Sequence, residues 1–329
     1  MISNKYKYGL IDGSYILTRA LFATVNYERS PEATASDVVR SVIYTLRKLS
    51  RDYGVTTDKL IFLWDKWDPK YSGYYRTFLL KGLYKDDREY ITDEDVEKED
   101  DPEVKKQLEF KSYQNKVKYE AKTILQNELG KFGVPSFMRL GYEGDDLAAI
   151  SANYLYNDNK PSILITKDMD WGYFLNPKVD YFRIPLKGKN PEIITFSSMI
   201  NEIPEELRSL VSLYDWKALY DSIEGSHNAM RKTRFDRVNT KDIIKNIILN
   251  EDYSGIEDYE TFRKQYDSFL INKFPDFDKV CNMIYYYDKS GRCGSLDEFK
   301  EFDKKYNIGI SDKYYTGYID TFDTRLYSD

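Results

Sequence analysis

The sequence predicts an α/β fold, a mostly parallel central sheet flanked by helices and followed by a helical C-terminal part. Three observations lead there. Short apolar runs recur at KYGLIDGS (7–14), DKLIFLWD (58–65), VPSFMRL (134–140) and SILITKD (162–168), each ending at or just before acidic residues. Stretches of helical apolar spacing alternate with them, the pattern of parallel strands buried on both faces. Beyond about residue 200 the strand signals fade and helical spacing remains.

Each element has a local reason. KYGLIDGS reads as a buried strand ending in Asp12 and a Gly turn, with Ser14 placed to cap the helix YILTRALFATV. SDVVRSVIYTLRKLSRDYG (36–54) carries helical spacing and stops at Gly54. The second strand ends in Asp65, the third leads into LGYEGDDLAAISANYL, and the fourth ends in Asp168. VDYFRI (179–184) reads as a fifth strand, and SMINEIPEELRSLVSLYDWKALYDSI and TKDIIKNIILN as helices. The gap from Asp65 to Val134 far exceeds an ordinary crossover, so residues from about 70 to 122 form an insertion. Its middle, DEDVEKEDDPE (93–103), is almost all acid and is expected to be a solvated loop. KKQLEFKSYQNKVKYEAK follows as a helix with recurring lysines.

Composition narrows the chemistry. The single histidine, His227, excludes a histidine-rich metal site or a histidine dyad, so carboxylates must carry most of any catalysis. Two cysteines, Cys281 and Cys293, suit a reduced compartment and are too few for a zinc site. No apolar run approaches the roughly 18 residues of a membrane span. MISNKYKYGLIDGSY has no apolar signal segment, so a cytoplasmic setting is expected, the host cytoplasm if the chain is phage-encoded. The net charge of −6 speaks against a protein coated in basic patches, although local clusters remain compatible with nucleic acid.

In parallel sheets ligands bind beyond the carboxyl ends of the strands. Acids stand at all four such ends: Asp12, Asp65, the group Glu143, Asp145 and Asp146, and the pair Asp168 and Asp170. Asp221 and Glu224, three residues apart, share a helix face further on. Taken singly, each has a bland reading: Asp145 or Asp146 as a helix cap, Asp12 as a turn former, the others as solvated loop or helix acids. Together they form a set whose charges, about 4 Å apart, would repel by about 4 kcal/mol per pair at an effective dielectric near 20. Such a set needs cations or protons. Hard oxygen donors without histidine point to Mg²⁺, with Mn²⁺ as a substitute. Two such ions could activate a water and stabilise the leaving oxygen of a phosphodiester, which makes a nucleic acid the expected substrate.

The order D-G-S, W-D, Y-E-G-D-D and T-K-D-M-D-W resembles the flap endonuclease and 5′-nuclease superfamily of PIN-like fold, nearest its phage ribonuclease H and 5′–3′ exonuclease branch. SGYYRTFLLKGLYKDDR is similar to the basic segment that follows the second strand in that family and ends in Y-K-x-N-R, here Tyr84, Lys85, Asp86, Asp87 and Arg88. The resemblance implies a PIN-like nuclease core over residues 1–200 with a helical arch at about 70–122, and a helical DNA-binding domain over 201–329. It implies a first metal held by Asp12, Asp65, Glu143, Asp145 or Asp146, and Asp168, with Glu143 and Asp146 the favoured pair. Asp170, Asp221 and Glu224 would hold a second. Lys85 and Arg88 would bind and polarise the scissile phosphate, with Arg76 nearby.

Two departures stand out. The G-D-x-x-D-N motif of the family appears as Tyr220-Asp221-Ser222-Ile223-Glu224-Gly225, which keeps the acids and loses the Gly and Asn. Where a Gly-rich helix–turn–helix normally follows stands GSHNAMRKTRFDRVNTKDIIK, whose Arg231, Lys232, Arg234, Arg237, Lys241 and Lys245 offer contacts to duplex phosphates. The expected function is a Mg²⁺-dependent, structure-selective 5′-nuclease, acting as a monomer on branched or flapped DNA and RNA–DNA hybrid and removing RNA primers or 5′ flaps. A PIN-type endoribonuclease and a catalytically silent relative that binds branched DNA are the alternatives. A phosphatase of the haloacid-dehalogenase type needs a D-x-D after its first strand, which Asp12-Gly13-Ser14 lacks.

Overall fold

The structure, a computed structural model, describes residues 5–56, 59–80, 91, 93–183, 192–224, 240–290, 295–312 and 314–315. Its strands are β1 (Tyr8–Asp12), β2 (Leu60–Trp64), β3 (Ser136–Met138), β4 (Ser162–Thr166), β5 (Val179–Arg183) and β6 (Glu192–Ile194). They form one six-stranded sheet in the order β3-β2-β1-β4-β5-β6. β1 and β2 run parallel with Asp12 opposite Leu63, β4 and β5 run parallel with Thr166 opposite Arg183, and β5 and β6 are antiparallel. All five residues of β2 and of β4 are buried, as expected for strands covered on both faces. The helices of the first half are α1 (Gly13–Thr24), α2 (Pro31–Tyr53), α3 (Tyr75–Leu79), α4 (Asp93–Glu97), α5 (Pro102–Glu128) and α6 (Gly144–Asn157). Those of the second half are α7 (Phe196–Met199), α8 (Leu213–Glu224), α9 (Thr240–Asn250), α10 (Tyr259–Phe269), α11 (Phe277–Ser290) and α12 (Leu296–Tyr306). None of the described helices is long and apolar enough to cross a membrane. The α/β fold with a mostly parallel, helix-flanked sheet is the one the sequence predicts.

Contacts gather the chain into two compact units, one of Met1–Trp64, Glu89–Phe137 and Tyr287–Asp329, the other of Asp65–Arg88 and Met138–Tyr286. In the first unit the D-G-S turn resolves into a helix start. Asp12, not Ser14, is the N-cap of α1, its Oδ1 accepting the Tyr15 N–H at 2.8 Å. Gly13 is required there by space: a Cβ would stand 2.7 Å from the buried Trp64 ring. α2 begins with Ser30 as cap and Pro31 at its first position, and ends at Gly54 with φ of 65°, a left-handed stop where glycine carries no Cβ penalty.

The acidic run at 93–103 differs from its expectation. Asp93–Glu97 forms α4, with Asp93 accepting from Ser112 at 2.8 Å and pairing with Lys116 at 2.9 Å, and Asp101 caps α5. Acids are favoured at helix N-termini because they meet unpaired N–H groups and the positive end of the helix dipole. That preference turns an expected loop into two helix starts. α5 also continues beyond 122, to Glu128.

Glu128 is itself a pH-sensitive contact of this unit. Its side chain is 5% exposed and takes Lys131 at 2.8 Å, Lys305 at 2.9 Å and the Tyr306 hydroxyl at 2.7 Å. Burial alone would raise its pKa, but the hydrogen bonds from Lys131, Tyr306 and Lys305 outweigh burial and hold it at about 2. A depressed carboxyl contributes stability that is complete above the unfolded value of 4.5 and is lost as pH falls toward 2. Glu128→Gln should therefore lower the melting temperature at pH 7, and the gap to the native chain should close steadily between pH 4.5 and 2. A gap independent of pH would show that the loss is one of packing.

In the second unit, β4–β6, α6–α10 and the 3₁₀ turn Met169–Phe174 build the surroundings of the acids. β6 was not expected from the sequence. It has three residues, of which only Ile194 is buried, too little periodicity to read.

Candidate active site

The acids of GYEGDD are set by the start of α6. Gly141 holds φ of 79°, a conformation that a side chain would strain, and a Cβ there would lie 3.0 Å from the Tyr71 ring. Its N–H donates to Lys66 O and its carbonyl accepts from Tyr75 N–H, both at 2.8 Å, which ties the turn to α3. Glu143 is then the N-cap of α6, and its N–H donates to Asp146 Oδ2 at 3.0 Å. Asp65 reaches the same helix start, with Oδ1 accepting the Gly144 N–H at 2.7 Å. Asp145 instead accepts the Trp171 indole N–H at 2.7 Å. The acids thus divide: Glu143 and Asp146, 3% and 1% exposed, point inward together, and Asp145 fixes the buried Trp171.

Arg76 stands against this inward pair. Its guanidinium is ion-paired to Asp146 and lies 3.5 Å from Glu143 Oε2. Its Nε–H donates to Ser268 O at 3.3 Å, and its carbon sits 5.4 Å from the Phe269 ring centroid. The residue is 7% exposed. The resemblance puts Arg76 near a scissile phosphate; in the structure it is the buried counter-cation of Glu143 and Asp146. Two carboxylates this deep need a partner or a proton, and a planar guanidinium can serve both at once. The neighbouring Tyr214 hydroxyl donates to Phe269 O, and burial, ahead of any charge, pushes its pKa up.

Asp168 and Asp170 follow β4. Asp168 caps the turn Met169–Phe174, accepting the Asp170 N–H at 3.0 Å, while its own N–H donates to Thr166 Oγ1 at 3.1 Å. Asp221 lies on α8, 7% exposed. Lys217, one turn earlier on α8, links the two groups: its Nζ is 3.3 Å from Asp170 Oδ1 and hydrogen-bonded to Asp221 Oδ2. Burial works against the Lys217 charge, but Asp221 and Asp170 outweigh it and hold its pKa above the ordinary value. Sequence reasoning passed over Lys217; the i, i+4 spacing of Lys217 and Asp221 was the available signal.

Asp12 belongs to the first unit, where it caps α1. Glu224 ends α8, and its side chain lies outside the described residues, as do Lys85, Arg88, Arg231, Lys232, Arg234 and Arg237. Lys241 is exposed on α9, and Lys245 pairs with Glu206 at 2.6 Å. Among the described residues no group of three or more His, Cys, Asp or Glu is gathered to hold a metal ion. The donors of the α6 group are all carboxylates, the ligand type a hard divalent ion takes, and Arg76 is the cation that stands against the inward pair. The Asp170–Asp221 pair is bridged by the Lys217 ammonium.

The family model described as 5′–3′ exonuclease, N-terminal resolvase-like domain, matches residues 7–203. No curated protein matches the sequence. Among solved structures, the bacteriophage T5 D15 flap endonuclease, in a pseudo-enzyme–product complex with DNA and metal ions, aligns with a TM-score of 0.51 at 17% identity. The alignment covers 92% of this chain and 98% of that one, and at such identity the likeness is one of fold. The T5 D15 protein co-crystallised with metal ions gives 0.48 at 17% identity over 92% and 100% of the two chains. The catalytic core of Rad2 in complex with a DNA substrate gives 0.46 at 14% identity over 98% and 94%.

Proposed function

Since the chain belongs to the family of 5′–3′ exonucleases, which are phosphodiester hydrolases, we propose that it is a metal-dependent, structure-selective 5′-nuclease that acts on flapped or nicked DNA and on RNA–DNA hybrid. The observation that carries this reading is the start of α6, where Asp65, Glu143 and Asp146 converge on one helix end. Hard divalent ions take oxygen ligands, and carboxylates supply them here.

In this reading Glu143 and Asp146, with Asp65 and Asp168, hold one Mg²⁺, for which Mn²⁺ substitutes. Such an ion lowers the pKa of a bound water and stabilises charge on the phosphodiester. The protein orients the acids: Asp146 is held by the Glu143 N–H and Asp65 by the Gly144 N–H, while Arg76 offsets the charge of the inward pair. Trp171 fixes Asp145 so that it does not turn into the pair. Lys85 and Arg88 bind the scissile phosphate, and the cations from Arg231 to Lys245 contact duplex backbone, which makes binding fall steeply with salt. The bacteriophage T5 neighbour, a flap endonuclease in complex with DNA and metal ions, supports the choice of substrate class.

The test sets 5′-labelled flap, nicked duplex and RNA–DNA hybrid side by side in Mg²⁺ or Mn²⁺. Release of short 5′ products is expected, and the preferred substrate names the physiological one. Absence of cleavage on all three in both metals would overturn the enzymatic reading.

A further inference from the structure

The Asp170–Asp221 pair carries its own cation, and the fold builds that cation in. Lys217 and Asp221 are four apart on α8, so their side chains lie on one helix face one turn apart. The turn Met169–Phe174 then brings two of its residues onto the ammonium: Asp170 Oδ1 at 3.3 Å and the Tyr173 ring, whose centroid is 5.3 Å from Nζ. A carboxylate on one side, a second on another and an aromatic face form a cage matched to a monovalent ammonium. The Lys217 side chain is 19% exposed and that of Asp221 10%, while that of Asp170 is 62% exposed, so the Lys217–Asp221 bond is the shielded half of the arrangement.

A divalent ion asks for something else. Mg²⁺ takes near-octahedral oxygen ligands at about 2.0–2.1 Å, and it cannot share two carboxylates with an ammonium that already occupies the space between them. Of the two, only Asp221 belongs to the stretch that matches the G-D-x-x-D-N motif, where Glu224 is the second acid and the Gly and Asn are missing.

We propose that the Lys217 ammonium is the resident cation of the Asp170–Asp221 pair and takes the place of a second divalent ion, so that each chain binds one divalent ion rather than two. The proposal deepens the 5′-nuclease reading and rests on it for the role of these acids. Its test is separate, because it counts ions rather than turnover. Bound Mn²⁺ per chain is measured from the electron paramagnetic resonance signal of free Mn²⁺ during titration, on the full-length native chain, Lys217→Met and Lys217→Arg. Lys217→Met should bind one more Mn²⁺ per chain than the native protein at sub-millimolar Mn²⁺. Lys217→Arg, which restores the positive charge, should bind the native number. Adding Asp221→Asn to Lys217→Met should remove the gained ion.

An unchanged count in a folded Lys217→Met chain overturns the proposal, as does a native chain that takes up two ions with sub-millimolar affinity. The native measurement decides even if Lys217→Met fails to fold. Failure of the 5′-nuclease reading appears instead as absence of cleavage, whatever the ion count.

Discussion

Arg76→Met should lower the free energy of unfolding by about 3–5 kcal/mol, the cost of removing one side of a buried ion pair. The methionine has similar length and no charge, so it leaves Glu143 and Asp146 together at 3% and 1% exposure with nothing to offset them. Both acids must then take up a proton or draw in water, and either outcome weakens the start of α6. Arg76→Lys should lie between, because an ammonium keeps the charge but loses the planar fork that reaches Asp146, Glu143 and Ser268 O together. Guanidinium unfolding of the three proteins measures the order directly. A loss below about 1 kcal/mol for Arg76→Met, the range of exposed pairs, would mean that the acids are hydrated and that Arg76 lies on the surface in solution.

Asp168→Asn should reduce cleavage by on the order of 10²–10³-fold, the scale seen when one electrostatic group of a catalytic site is removed. The choice of asparagine isolates the charge. Asp168 caps the turn after β4 through the Asp170 N–H, and asparagine caps such turns about as well as aspartate. The melting temperature and the affinity for flap DNA should therefore stay close to native while the rate falls. Assays on the best of the three substrates, alongside a binding titration, separate the outcomes. Native rates in a folded Asp168→Asn protein would remove Asp168 from the site and leave it a turn former.

These two residues show how differently the site could be read from sequence. Asp168 was legible because its position is local: an apolar strand of five buried residues ends, and an acid follows at its carboxyl end. Asp65 and the Glu143–Asp146 group were legible for the same reason. The pairing of Glu143 with Asp146 came from the family resemblance, and the structure places the two as N-cap and N3 of α6. Arg76 was visible only as one basic residue in a basic segment. Its role depends on partners 67 and 70 positions away, and on Ser268, 192 positions away.

Local pattern misled in two places. A run of acids is ordinarily solvated chain, yet at 93–103 the same charges meet two helix N-termini, which attract them. Ser14 looked like the cap of α1, but Asp12, two residues earlier, already accepts the Tyr15 N–H.

By itself the sequence determined the α/β class, the strands that end in acids, and the family to which the nuclease core belongs. The class and the strands rest on apolar runs and helical spacing, which short-range sterics and burial enforce, and the family rests on the resemblance of the D-G-S, W-D, Y-E-G-D-D and T-K-D-M-D-W motifs. Only the tertiary structure decided which cation stands against which distant acid: Arg76 with Glu143 and Asp146, and Lys217 with Asp170. An ion pair forms within about 4 Å, and for residues far apart in the chain that distance is set by how helices and turns pack, which no local pattern of residues encodes.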